Sequence, residues 1–192
     1  MISPESFDHQ RELDLLELQV LNVINGQGSI VHLIGQGGTG KTRLIEALRN
    51  KDCMKRVTLL EWEAEPSRST LGIDLLKKCI EIRAEVGQAD TFEKLDEATL
   101  TPNEVSEILS RAAQRQPLLI VLENLHYADN DTADLVEHLF ELVKKDRLLF
   151  LNTFRPKSEH EWRLPKMARQ AYGSRYVEIL LDPVDKTGER SR

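Results

Sequence analysis

The sequence predicts an α/β fold, a parallel sheet covered by helices on both faces, and three observations carry that reading. A glycine-rich loop, Gly35-Gln-Gly-Gly-Thr-Gly-Lys41-Thr42, lies between an apolar run (Ile30 to Ile34) and a helix-forming stretch (Arg43 to Arg49). A second run, Leu118-Leu-Ile-Val-Leu122, is apolar at every position, as a strand buried on both faces must be. Strand-like and helix-like segments also alternate along the chain, a pattern that right-handed crossovers turn into a parallel sheet. At 192 residues the chain is long enough for one well-buried domain and too short for two ordinary ones. It divides into an N-terminal segment and helix (1–28), a core (29–183) and a tail (184–192).

From Arg11 to Ile24, Leu13, Leu16, Val20, Val23 and Ile24 recur at helical spacing, and Asn25-Gly26 closes the helix. After the first strand, loop and helix, Val57 to Trp62 is apolar and partly β-branched, with Pro66-Ser67 beyond it, and reads as a second strand. Leu71 to Ile82 returns to helical periodicity, and Gly87 to Leu100 is polar and weakly periodic, a loop with a short helix at most. Thr101-Pro-Asn-Glu104 joins a capping box to a proline at the first helical position, followed by the stripe Val105, Ile108, Leu109, Ala112 and Ala113. Then come the central strand Leu118 to Leu122, a helix from Thr132 to Lys144, and a buried strand from Leu148 to Phe154. A polar stretch containing Trp162 and Pro165 leads to the last strand, Tyr176 to Leu181.

A formal net charge of −6 with 30% charged residues argues for a soluble protein and against a strongly basic nucleic-acid surface. No apolar run reaches the ~18 to 20 residues of a membrane span, and the residues after Met1 are unlike a signal peptide, so the expected location is cytoplasmic with no membrane partner. Cys53 and Cys79 have no metal-ligand spacing, which fits ordinary packing in a reducing compartment.

The glycine-rich loop is a P-loop, or Walker A motif, in its proper strand-to-helix context. Successive N–H groups must turn inward around a polyphosphate, and residues without a Cβ take those dihedrals without clash. Gly35, Gly37, Gly38 and Gly40 supply them, with Gln36, Thr39 and Arg43 completing the predicted nucleotide-binding stretch. Lys41 can place its ammonium between the β- and γ-phosphates, and the Thr42 hydroxyl can take a position on Mg²⁺. The stretch is therefore expected to bind a nucleoside triphosphate with Mg²⁺.

Such a loop needs a carboxylate at the end of a neighbouring strand to hold the metal, and a further acid to take a proton from the attacking water. Here the central strand ends in Glu123-Asn124. Glu123 can fill the metal role beside Thr42. Asn124 can orient water but accepts no proton near neutral pH, and a missing general base costs about 10² to 10⁴ in rate. Hydrolysis is thus expected to be slow.

Leu118 to Asp129, ending Leu-Glu-Asn-Leu-His-Tyr-Ala-Asp, resembles the Walker B segment of the STAND ATPases, the AAA-related signal-transduction class. Phe7 with Arg11-Glu12 is similar to that class's N-terminal motif near the adenine, without its glycine. Asn152-Thr-Phe-Arg155-Pro resembles the strand end that carries a sensor residue and an arginine, and Tyr176 to Pro183 resembles the last core strand and its linker to a helical lid.

The resemblance implies a three-layer, ASCE/AAA-like P-loop fold that prefers adenine nucleotides, ATP or ADP. It places Asn152, Thr153 and Arg155 near the γ-phosphate, makes Lys41, Glu123, Asn124 and Arg155 the catalytic set, and leaves His126 and Asp129 to shape the loop after the metal site. It also implies a switch whose partners are protein effectors or further domains of a larger chain, with lid and effector domains absent from these 192 residues. Two other readings stay open: a working ATPase whose base comes from elsewhere, such as Asp129 or a partner, and a DNA-associated AAA-type ATPase. Overall acidity and the lack of a basic stripe count against the second.

Overall fold

The computed structural model describes residues 9–65, 74, 77, 101–156 and 163–181. Five strands, β1 (Ser29–Gly35), β2 (Thr58–Glu63), β3 (Leu118–Glu123), β4 (Leu148–Phe154) and β5 (Tyr176–Leu181), form one sheet in the order β2-β3-β4-β1-β5. Every neighbouring pair is parallel. The strand carrying the P-loop therefore lies inside the sheet, and the chain's C-terminal strand ends converge on one edge, where ligands bind in open α/β sheets.

Alternation along the strands sorts the side chains into two cores. Ile30, Ile34, Ile120, Leu122, Phe150 and Phe154 face α3 (Pro102–Arg115), α4 (Asn130–Phe140) and α5 (Arg163–Tyr172). Val31, Leu33, Leu119, Val121, Leu149 and Leu151 face α1 (Gln10–Ile24) and α2 (Lys41–Arg49). These strands are buried on both sides because helices cover both sides, which is why they read as continuous apolar runs.

The α1 stripe lies where its periodicity predicts, with Leu13, Leu16, Val20 and Val23 buried and Gly26 in the left-handed region beyond the helix. The capping box of α3 is complete: Thr101 Oγ1 accepts from the Glu104 N–H at 3.3 Å, and a Glu104 carboxylate oxygen accepts from the Thr101 N–H at 2.8 Å. The helix expected over Thr132 to Lys144 begins earlier, at Asn130, and from Glu141 tightens into a 3₁₀ turn that keeps Leu142 and Val143 buried.

One segment differs in kind. Part of the polar stretch around Pro165 is helical, forming α5, with Leu164, Pro165, Ala168 and Tyr172 buried. Proline is tolerated there because it sits in the first turn, where its N–H would have no intrahelical partner. Of the helix expected over Leu71 to Ile82 only Asp74 and Lys77 are described, both helical. The Gly87 to Leu100 loop, Phe7, Trp162 and Pro183 lie outside the described residues, and among the residues described no helix is long and apolar enough to cross a membrane.

Candidate functional site

The P-loop begins where β1 ends and closes where α2 starts. Gly40 stands immediately before α2 with φ +91°, a conformation only glycine takes without strain, and its α-carbon faces the imidazole of His9 so closely that an added Cβ would lie 3.3 Å from the ring. At Gly35 a Cβ would fall 2.5 Å from Thr39 Oγ1. That hydroxyl is engaged inside the loop, donating to the Gln36 carbonyl at 2.9 Å. Gln36, Gly37, Gly38 and the first-turn residues Thr42 and Arg43 are exposed, so the loop presents an open concave backbone to solvent.

Lys41 folds back across this concavity, its Nζ donating to the carbonyls of Gly35 at 2.6 Å and Gln36 at 2.9 Å. Burial and then the positive charge of Arg155 draw its pKa below the usual lysine value, while Glu123 opposes them. Two other predicted catalytic groups, Arg155 and Glu123, thus act on Lys41 with opposite sign. Arg155 leaves the end of β4 with its guanidinium carbon 5.8 Å from the centre of the Tyr127 ring and 4.0 Å from where a Cβ on Gly37 would stand.

Glu123 ends β3 half-buried, and its carboxyl is pushed above the ordinary carboxylate range, first by burial and then by the neighbouring charge of Glu63. A carboxylate so placed gains from a cation. Together with the Thr42 hydroxyl it would supply oxygen donors of the kind Mg²⁺ prefers. Among the described residues no group of three or more His, Cys, Asp or Glu side chains is placed to hold a metal ion.

Asn124 is the one non-glycine residue with positive φ among those described, at φ 58° and ψ 33°. Three bonds hold it there. Its N–H donates to Thr153 Oγ1 at 2.9 Å, its carbonyl accepts from the Tyr127 N–H at 2.9 Å, and its side-chain Nδ2 donates to Glu63 Oε1 at 2.7 Å.

Asn152 stands elsewhere than expected. It is wholly buried and shares strand parity with Phe150 and Phe154, so its side chain enters the layer of α3, α4 and α5, away from α2 and the loop. The parity that makes β4 a buried strand also decides this outcome: one residue on, Thr153 faces the other way and reaches the Asn124 backbone. Asp129 caps α4, its Oδ1 accepting from the Thr132 N–H at 2.8 Å.

Two residues that motif reading passed over join the site. His9, buried at the start of α1, contacts the Thr39 carbonyl through Nε2 at 2.9 Å. Glu63 closes β2, directly opposite Glu123 in the β2–β3 register. The available signal for Glu63 was its place right after the apolar run Val57 to Trp62, at the same sheet edge as Glu123.

A five-stranded parallel sheet in this order, with a P-loop after its first strand and an acidic residue ending the third, defines a P-loop nucleoside-triphosphatase fold. More narrowly, the chain belongs to the AAA ATPase domain family, whose model matches residues 9–151. An uncharacterized protein of Rhizobium meliloti (strain 1021) is 26% identical over 81% of this chain, which spans about one fifth (19%) of that relative's length. The structure is similar to Cdc6p from Pyrobaculum aerophilum (TM-score 0.61, 14% identity, 93% of this chain and 47% of that one). It is also similar to the Aeropyrum pernix ORC1 protein in complex with DNA (TM-score 0.57, 20% identity, 94% and 46%). At these identities the similarity is one of fold.

Proposed function

We propose that this domain is an ATP- and Mg²⁺-binding switch of the STAND type, in which the bound triphosphate biases loop and partner arrangements and slow hydrolysis sets the lifetime of that state. The observation that supports it best is the contrast between a complete P-loop and a β3 end with no acid in its second position, so that any proton acceptor must be supplied from outside β3 and turnover is slow. Lys41 already bridges the loop carbonyls, whereas the position after Glu123 carries an amide tied to Glu63.

In this reading Gly35 to Thr42 hold the phosphates, and Lys41 exchanges the two carbonyls for phosphate oxygens. Thr42 and Glu123 hold Mg²⁺, which when bound neutralises charge on the phosphates. Arg155 supplies positive charge over the loop from β4. Thr153 fixes the backbone of Asn124, and Asn152 takes no part, its buried amide atoms having no hydrogen-bond partner among the described residues. Effectors are protein partners or further domains. Association with DNA, stated for the ORC1 complex from Aeropyrum pernix, is the competing reading, against which the net charge of −6 weighs.

The test is ligand-linked stabilisation. Mg-ATP at a hundredfold excess over its dissociation constant should stabilise the fold by about 2.7 kcal/mol, seen as a raised melting temperature, and Lys41→Ala should abolish most of the shift. An unchanged melting curve for the unmodified protein at millimolar Mg-ATP would refute nucleotide binding.

A further inference from the structure

We propose that Glu63, at the end of β2, is the proton acceptor for the attacking water, taking the part that Asn124 cannot play. The inference rests on the nucleotide site proposed above. It begins from the bond between the two side chains: the Asn124 amide donates to Glu63 Oε1 at 2.7 Å, a contact between residues 61 positions apart in the chain. An acid and an amide sit side by side at the sheet edge, with the acid on β2 and the amide on β3.

Several observations fix that arrangement. The β2–β3 register sets Glu63 opposite Glu123, and the Ala64 N–H donates to the Glu123 carbonyl at 2.9 Å, so the backbone locks the two strand ends together. Asn124 keeps its left-handed backbone through Thr153 on β4 and Tyr127 in the following turn. Asparagine enters this region more readily than other non-glycine residues, and the surrounding bonds hold it there. Here those bonds aim the amide at Glu63. A glutamate at position 124 would carry its carboxylate one methylene beyond the place of the amide. Glu63 Oε1 lies one hydrogen bond from that amide, so an acid carried by β2 stands beside the position of the missing one.

The side chain is also equipped for the role. Glu63 is exposed at the mouth of the sheet edge, and the charge it bears is felt by Glu123. The amide leaves its other carboxylate oxygen available to water. In the step itself, water oxygen forms a bond to the γ-phosphorus, and the bond from that phosphorus to the β–γ bridging oxygen breaks, its electron pair leaving with ADP. The water's proton passes to the Glu63 carboxylate, and inorganic phosphate is the second product. Asn124 holds the acceptor in place and is a positioning residue.

The experiment compares single-turnover Mg-ATP hydrolysis and Mg-ATP-induced thermal shift in the unmodified chain, Glu63→Gln, and the double variant Glu63→Gln/Asn124→Glu. Because Glu63 is exposed, the glutamine variant should fold, and it should keep the full thermal shift while hydrolysis falls about 10²- to 10⁴-fold, the range for a lost general base. Returning an acid to β3 in the double variant should recover at least tenfold of the loss. Equal rates for the unmodified chain and Glu63→Gln, including no turnover by either, would overturn the assignment, as would a Glu63→Gln variant that loses its thermal shift along with its rate. A thermal shift absent already from the unmodified chain would instead defeat the nucleotide site itself, and the assignment with it.

Discussion

Enclosed by Phe140, Phe154 and Tyr176, the imidazole of His32 is wholly buried in the second-innermost strand of the sheet. Its Nδ1 lies 3.2 Å from the Tyr176 hydroxyl, which donates to Glu178 at 2.7 Å. A hydroxyl has a single proton, so with that proton given to Glu178 it must accept from Nδ1–H, which sets the tautomer. Burial, with a smaller push from Arg169, lowers the pKa from 6.5 to about 3. The sign of the consequence is definite: between those values the unfolded chain takes up a proton that the folded one refuses, so this residue's contribution to stability is lost as pH falls from 6.5 toward 3. Urea midpoints measured from pH 7 to pH 4 should decline, and His32→Gln, which keeps an amide donor and does not titrate, should decline less steeply.

Among the elements, α3 was the most legible and gives the cleanest test. Thr101 and Glu104 make both bonds of the capping box and Pro102 takes the first helical position, because capping is local and needs no knowledge of the rest of the fold. Thr101→Ala should therefore cost about 0.5–2 kcal/mol, read as a lower urea midpoint with an unchanged slope. The buried strands were legible for a similar reason, since covering both faces leaves a continuous apolar run. Less visible was α5, whose Pro165 looks like a breaker until its first-turn position is known. Site residues divide along the same line. The loop from Gly35 to Thr42 is contiguous and carries its own signature, whereas the Glu63–Asn124 bond depends on which strand lies beside β3, and β2 is brought there by crossovers that no short stretch encodes. Asn152 was misplaced because a motif gives an approximate position and pleat parity decides the face.

At the scale of the molecule, the P-loop belongs to a closed circuit of contacts. The loop runs into α2, the inner faces of α2 and α1 share one core, and the first residue before α1, His9, returns to the loop at the Thr39 carbonyl and the face of Gly40. His9→Ala should open the circuit. Losing a buried hydrogen bond typically costs about 0.5–1.5 kcal/mol, so a modest drop in melting temperature is expected, accompanied by a smaller Mg-ATP shift than the unmodified chain shows. A variant as stable as the original with an undiminished shift would show that α1 merely packs beside the site. The circuit also has a mechanical meaning. A helix of 15 residues is about 22 Å long, and α1 is pinned to the loop at one end while Leu15, Leu18 and Leu21 lie bare along its outer side. The same helix is seated along its length by Leu13, Leu16, Val20 and Val23, so the position of Thr39 in the loop is tied through His9 to the packing of the whole helix.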